Sequence, residues 1–211
     1  MKKLSEIRKE ARRPTDRILH AKQQTLICTW NVRTLYQTGK LSQVINSINQ
    51  YQIDILGVAE TRWTGAGKLR SGGSLVLYSG KELEHTSGVA IIVTRKAEKG
   101  LLSWTPHSDR IITARFLTAH GKTTVIMCYA PTNVTSDEDK DLFYDELQNV
   151  YDQIPKHDLK LLIGDFNAQI SPNSRTGWEN TIGSYARGSD TTDNGIRFMS
   201  FCNVNNFVIS N

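Results

Sequence analysis

Asp165 and Asn167 are the two residues of this chain whose types and spacing most directly suggest chemistry. They stand in Gly164-Asp165-Phe166-Asn167-Ala168-Gln169-Ile170, directly after the apolar run Leu161-Leu162-Ile163. That run has the length and composition of a buried strand, so the Asp165 carboxylate is expected to emerge where the strand ends. Strand ends are where open α/β sheets gather their reactive groups. Side chains two positions apart on extended chain point the same way. Asp165 could then hold a water or a metal while the Asn167 amide donates to an oxyanion. Asp and Asn also build Asx turns after strands, and the heptapeptide taken alone favours that plainer reading.

Three further polar positions repeat the placement. Residues 25–32 have strand composition and carry Asn31 near their end, residues 53–59 form a strand that stops at Glu60, and residues 123–129 form one that closes on Tyr129. If these strands lie in two packed sheets, their ends can converge on one rim. The resulting set suits phosphodiester hydrolysis. A carboxylate such as Glu60 can hold a hard divalent cation, and Mg²⁺ prefers few protein carboxylates supplemented by water and substrate phosphate. Such a cation acts as a Lewis acid on a phosphoryl oxygen. Asn and Tyr donate hydrogen bonds to developing charge without adding charge of their own.

The elements that must position these residues alternate in type. Leu41, Val44, Ile45 and Ile48 recur at helical spacing over residues 40–50, between the strands ending at Asn31 and Glu60. Strand, helix, strand over so short a distance is a crossover unit, so the two strands are expected to be parallel or to share a sheet. Residues 61–73 read as a loop rich in glycine and charge. Short strands follow at 74–79, 88–94, 111–117 and 123–129, the last two joined by the hairpin signal Ala119-His120-Gly121-Lys122. After Pro131, the capping sequence Ser136-Asp137-Glu138-Asp139 opens a second amphipathic helix with Leu142, Phe143, Leu147, Val150 and Ile154 on its apolar side. Its acidic residues from Asp137 to Asp145 suit a helix N-terminus and a solvated face. A polar loop over 171–189 precedes Asn194-Gly195, a helical stretch with Ile196, Met199 and Cys202, and a final Phe207-Val208-Ile209-Ser210. Two sheets with helices outside them form an α/β architecture whose complete form is a four-layer α/β/β/α sandwich.

Composition narrows the class. The 211 residues, 38% hydrophobic with five prolines, suit one sizeable α/β domain over 24–211. Residues 1–23 hold eight basic and three acidic residues, which accounts for the whole formal charge of +5. This basic arm can grip phosphate backbones through counterion release, although a lone charge run is more often a solvated tail. Cys28, Cys128 and Cys202 are widely spaced and form no CxxC pair. They read as small buried hydrophobes in a reducing compartment. Met1-Lys2-Lys3 opens no secretory signal and no apolar run spans a bilayer, so a soluble intracellular protein without membrane contact is expected.

The motifs also carry a family resemblance. Thr29-Trp30-Asn31-Val32-Arg33, Val58-Ala59-Glu60-Thr61, Ser87-Gly88-Val89-Ala90-Ile91, Tyr129-Ala130-Pro131-Thr132 and Gly164-Asp165-Phe166-Asn167 resemble, in order, the motifs of the endonuclease/exonuclease/phosphatase superfamily. Asn194-Gly195, Phe201-Cys202 and Asn205 further resemble the endonuclease domains of RTE-type non-LTR retrotransposons and the craniofacial development protein 2-like family of host proteins. The resemblance implies Glu60 as metal ligand, with Asn31 supporting the Mg²⁺ or Mn²⁺ and its water. It implies Tyr129 as the contact to the scissile phosphate. Asp165 matches the aspartate that orients or activates the attacking water or protonates the leaving oxygen, and Asn167 the asparagine that stabilises the transition state. Arg110 matches a structural arginine; His85 and Trp63 could contact substrate, but a surface histidine and a buried packing aromatic are the plainer readings.

Complete members of the superfamily continue into an isoleucine-aspartate pair and a serine-aspartate-histidine motif. The sequence stops at Asn211 before either, and none of its five histidines, His20, His85, His107, His120 and His157, stands in an equivalent motif. The expectation is therefore a C-terminally truncated fold with an unpaired sheet edge, lacking a pair that contributes about 10²–10⁴-fold in rate. Three readings follow: a metal-dependent DNA endonuclease of retrotransposon origin, acting in the nucleus as a monomer; an inactive remnant that binds nucleic acid or protein; and a phosphatase on the same fold.

Overall fold

The computed structural model describes residues 24–119, 121–183, 186 and 188–210. The basic arm, residues 1–23, lies outside them, as do His20 and His120. The chain divides into two compact units, one running to Tyr129 and including Ile154–Asp165, the other comprising Ala130–Gln153 and the chain from Phe166 on.

The first unit holds both sheets. Five strands, β1 (Ile27–Asn31), β2 (Ile55–Ala59), β3 (Ala66–Ser71), β4 (Ser74–Ser79) and β5 (Val89–Val93), form one sheet in the order β1-β2-β5-β4-β3. Strands β6 (Leu101–Pro106), β7 (Ile111–Thr118), β8 (Gly121–Tyr129) and β9 (Leu159–Asp165) form the other in sequence order. The crossover through helix α1 (Lys40–Gln50) makes β1 and β2 parallel, with Asn31 opposite Ala59. Strand β9 is parallel to β8, with Asp165 opposite Tyr129.

Alternation along the strands assigns each side chain to a layer. Ile55, Leu77 and Ile91 of the first sheet pack with Phe116, Val125 and Met127 of the second in the inter-sheet core. Leu56, Val58, Val76 and Ile92 turn to the opposite face and meet Val44 and Ile48 of α1. Every residue of β2 and β5 is buried, which explains their uninterrupted apolar composition.

Several elements differ from the sequence expectation. Residues 61–73 are not wholly loop: β3 pairs with β4 through a turn at Gly72-Gly73. It is an edge strand whose Lys68 and Arg70 face water and which offers only Leu69 to the core. Strand β6 and the short helix α2 (Arg95–Glu98) were not expected. Pro106 closes β6 at a sheet edge, where a missing N–H is tolerated. Strand β9 is half-buried rather than buried, as an edge position allows. Cys28 is likewise half-buried, on edge strand β1, whereas Cys128 is buried.

The second unit contains α3 (Asp137–Gln153) and α4 (Asp193–Val204). Ser136 caps α3 by accepting from the Asp139 N–H at 3.2 Å and donating to its carboxylate at 2.8 Å. Phe143, Leu147 and Val150 are buried as the periodicity requires, but Leu142 is 66% exposed. The acidic first turn of α3 is paired: Lys140, itself buried, contacts Asp137 at 3.1 Å and Asp193 of α4 at 2.8 Å. Asn194-Gly195 belongs to the first turn of α4 instead of preceding the helix, because Thr192 is the capping residue. The 171–189 loop contains a short 3-10 helix, Pro172–Arg175, and near the end of the chain Ile209 makes only an isolated bridge to Ile182. No helix among the described residues is long and apolar enough to cross a membrane.

Candidate active site

Asn31 is the last residue of β1, and its amide is the hub of the site in the first unit. Its Nδ2 donates to Glu60 Oε1 and to Asp165 Oδ2, each at 2.7 Å. The two carboxylate oxygens therefore stand no further apart than twice that distance. The amide's orientation is determined by its other end, where Oδ1 accepts the Arg33 N–H at 2.9 Å. Exchanging the amide atoms would set an oxygen against two carboxylates.

Tyr129, closing β8, donates a hydrogen bond to Glu60, and its phenol is pushed above its ordinary range by burial first and by the Glu60 charge second. It is a neutral donor across the working pH range. Arg110 holds it from two sides: Nη1 donates to the Tyr129 carbonyl at 3.1 Å, and the guanidinium lies over the ring at 5.1 Å. Arg110 is thus a support for Tyr129. Arg62 was not expected from the sequence; its guanidinium is 3.6 Å from Glu60 Oε2 and half-exposed. An arginine one turn of loop beyond a carboxylate carries no motif that would mark it.

The backbone is strained where these groups sit. Arg33, Glu60, Arg62 and Asn167 all have positive φ, at 60°, 59°, 55° and 46°, in the loops that leave β1, β2 and β9. Such angles are uncommon outside glycine and gather where side chains must be aimed. Gly164 has a stricter requirement. Its φ is 150°, and a Cβ there would lie 2.1 Å from the carbonyl oxygen of Cys128 on β8. The obstacle is backbone and cannot swing away. Gly164→Ala is expected to destabilise the fold by about 2–4 kcal/mol, in the range of mutations that force strained backbone and overpacking. Urea unfolding measures this, and a loss below about 0.5 kcal/mol, the size of an ordinary surface substitution, would contradict it.

Asn167 belongs to the second unit and does not continue β9 in extended form, as the sequence pattern had implied. Its φ of 46° turns the chain, and its Nδ2 donates to the Ala130 carbonyl at 2.9 Å. Asn194, fully buried at the start of α4, fixes this turn. Its Nδ2 donates to the carbonyls of Pro131 at 2.8 Å and Asn167 at 3.2 Å. Gly195 permits the close approach, since a Cβ would lie 2.3 Å from the Gln169 carbonyl oxygen.

Residues 28–201 match the endonuclease/exonuclease/phosphatase family profile. The chain belongs to the endonuclease/exonuclease/phosphatase family. Craniofacial development protein 2 of Bos taurus is 34% identical over 190 residues, covering 90% of this chain and 31% of that protein. The same protein of Tragulus javanicus matches equally, over 32% of its length, so the chain spans about a third of these relatives. Among solved structures, the endonuclease domain of TRAS1, a telomere-specific non-LTR retrotransposon, superposes with a TM-score of 0.55 at 15% identity, over 86% of this chain and 70% of that one. The AP endonuclease LMAP of Leishmania major gives 0.57 at 11% identity, over 83% and 65%. These two share the fold, and the two mixed sheets with their helices are the endonuclease/exonuclease/phosphatase fold.

The donor set fits a hard divalent ion of the kind typical for this family. Among the described residues no group of three or more His, Cys, Asp or Glu forms a cage. The two adjacent carboxylates, aligned by the Asn31 N–H groups, offer oxygen alone, which suits an ion completed by water and phosphate and not a site for zinc, which prefers nitrogen and sulfur.

Proposed function

We propose that the chain is a divalent-metal-dependent phosphodiesterase that nicks DNA, with Mg²⁺ or Mn²⁺ as its cofactor. The observation supporting this most is the Asn31 amide bridging Glu60 and Asp165, with the neutral phenol of Tyr129 on the same carboxylate. Charge for a cation and neutral donors for a phosphate are thereby concentrated in a few ångströms.

In this reading Glu60 holds the ion, and Asn31 keeps the two carboxylates aligned. When bound, the ion withdraws charge from the phosphoryl and leaving oxygens. With substrate present, Tyr129 transfers its hydroxyl hydrogen bond from Glu60 to a phosphoryl oxygen and orients the scissile group. Asp165 accepts the proton of the attacking water as its oxygen bonds to phosphorus, or returns a proton to the leaving sugar oxygen as that bond breaks. Asn167, on the strength of its motif alone, is assigned donation to the charge that develops on the phosphoryl oxygens. Residues 1–23 add a salt-sensitive grip on the DNA backbone. A nuclear nicking activity of retrotransposon type is the substrate class that the motif details favour, ahead of a lipid or inositol phosphatase.

Supercoiled plasmid tests the reading. The protein should convert it to the relaxed circle with Mg²⁺ or Mn²⁺ present, lose this on chelation and regain it on readdition. A phosphatase would instead release phosphate from small monoesters and leave the plasmid supercoiled. Plasmid binding without any metal-dependent nicking would assign the chain to nucleic-acid binding alone.

A further inference from the structure

Tyr36, on the loop that leaves β1, and His85, on the loop between β4 and β5, form an exposed aromatic pair to which the proposed reaction gives no role. Tyr36, in the loop between β1 and α1, is 64% exposed and rests against the His85 ring with centroids 4.4 Å apart and planes tilted by 51°. His85 is exposed as well. An exposed side chain of this size ordinarily moves freely, but this pair is fastened to the loop beyond Glu60. The His85 Nδ1 is 2.8 Å from the Arg62 carbonyl, the Leu35 N–H donates to the Thr61 carbonyl at 2.9 Å, and the Trp63 indole N–H donates to the Leu35 carbonyl at 3.1 Å. Trp63 is itself held edge-on against Tyr78. The platform is therefore rigidly referenced to the carboxylate that would hold the metal.

We propose that Tyr36 and His85 form a stacking platform for an unpaired nucleobase beside the scissile phosphate. The inference rests on the nucleic-acid reading of the site and specifies the form of substrate it takes. A protein that binds single strands combines aromatic faces for the bases with cations along the backbone. Arg33, exposed on the loop that also holds Tyr36, and Arg62, half-exposed on the loop that binds the His85 ring, supply guanidinium groups. Arg62 also pairs with Glu60 at 3.6 Å, while Glu84 is taken up by Lys81 at 2.7 Å and by Thr86. Tyr36 is also a low-cost anchor: its loop is already fixed, so binding orders only two side-chain torsions.

Short single-stranded oligonucleotides carrying one fluorescent base analogue, quenched on stacking, provide the test. Titration with the full chain under chelation separates binding from cleavage. The parent chain should quench the analogue in single-stranded DNA or RNA more strongly than in a matched duplex. Tyr36→Ala should weaken binding by about 5- to 100-fold and remove the quenching, the usual loss at a stacked base. Tyr36→Phe should retain both, and the melting temperature of each variant should match that of the parent. Equal affinity and quenching for Tyr36→Ala would overturn the platform while leaving nicking activity, and with it the proposed function, intact. Failure of the parent chain to bind any nucleic acid, together with absence of nicking, would overturn both.

Discussion

Replacing Asp165 with asparagine is expected to lower plasmid nicking by about 10²–10⁴-fold, the usual contribution of a positioned proton-transfer group, with little change in stability. The substitution keeps shape and keeps an oxygen that can accept from the Asn31 amide, now 2.7 Å from Asp165 Oδ2. What it removes is the charge and the basic lone pair. Initial rates of relaxed-circle formation, measured beside thermal melting, separate the two effects, and a loss that follows melting would argue for a structural role. Asn31→Ala tests the other side of the same bond. Without the amide, two carboxylates about 5 Å apart repel by roughly 3 kcal/mol at an effective dielectric constant of about 20. A divalent cation relieves that repulsion. Mg²⁺ should therefore raise the melting temperature of Asn31→Ala more than that of the parent chain, even as nicking falls. If Mg²⁺ shifts neither, Glu60 and Asp165 are not where the ion binds.

The placement of Asn31, Glu60, Tyr129 and Asp165 at strand ends was legible because each follows a run of strand-forming residues. Their meeting depended on pairings of unequal legibility. The β1–β2 contact follows from a short crossover, whereas the parallel β8–β9 contact spans the whole of α3 and leaves no local mark. It nevertheless sets Asp165 directly opposite Tyr129. Edge elements were the least legible. In β3, Ala66-Gly67-Lys68-Leu69-Arg70-Ser71 offers only Leu69 to the core, and its ladder partner is β4. The turn at Asn167 was hidden for a related reason. Its left-handed backbone is imposed by carbonyls of Ala130 and by Asn194, residues distant in sequence.

The second large effect lies away from the site. Arg115 on β7 donates from Nε and Nη2 to the two oxygens of Asp158 at 2.7 and 2.8 Å, and Thr124 donates to the same carboxylate at 2.8 Å. The Asp158 side chain is entirely buried just before β9, and the exposed His157 ring lies 3.6 Å away. Removing one partner of a buried pair leaves the other uncompensated, so Arg115→Met is expected to cost about 3–5 kcal/mol in urea unfolding near neutral pH. The pH dependence gives a sharper signature. Burial pushes the Asp158 carboxyl up, but the hydrogen bonds of Arg115 and Thr124 outweigh it and leave the group below its ordinary value. In the parent chain this contribution is present above the ordinary carboxylate pKa, about 3.9, and is lost as pH falls through the lower folded value. In Arg115→Met burial dominates and the folded value rises. That variant is relatively most stable below the ordinary pKa and loses stability as pH climbs through the raised one. The gap between the two proteins should narrow steadily from pH 7 toward about pH 4. Adding Asp158→Asn to Arg115→Met should recover much of the loss at neutral pH, because the stranded charge is gone. Parallel pH profiles for parent and variant would mean that Asp158 bears no charge that Arg115 compensates.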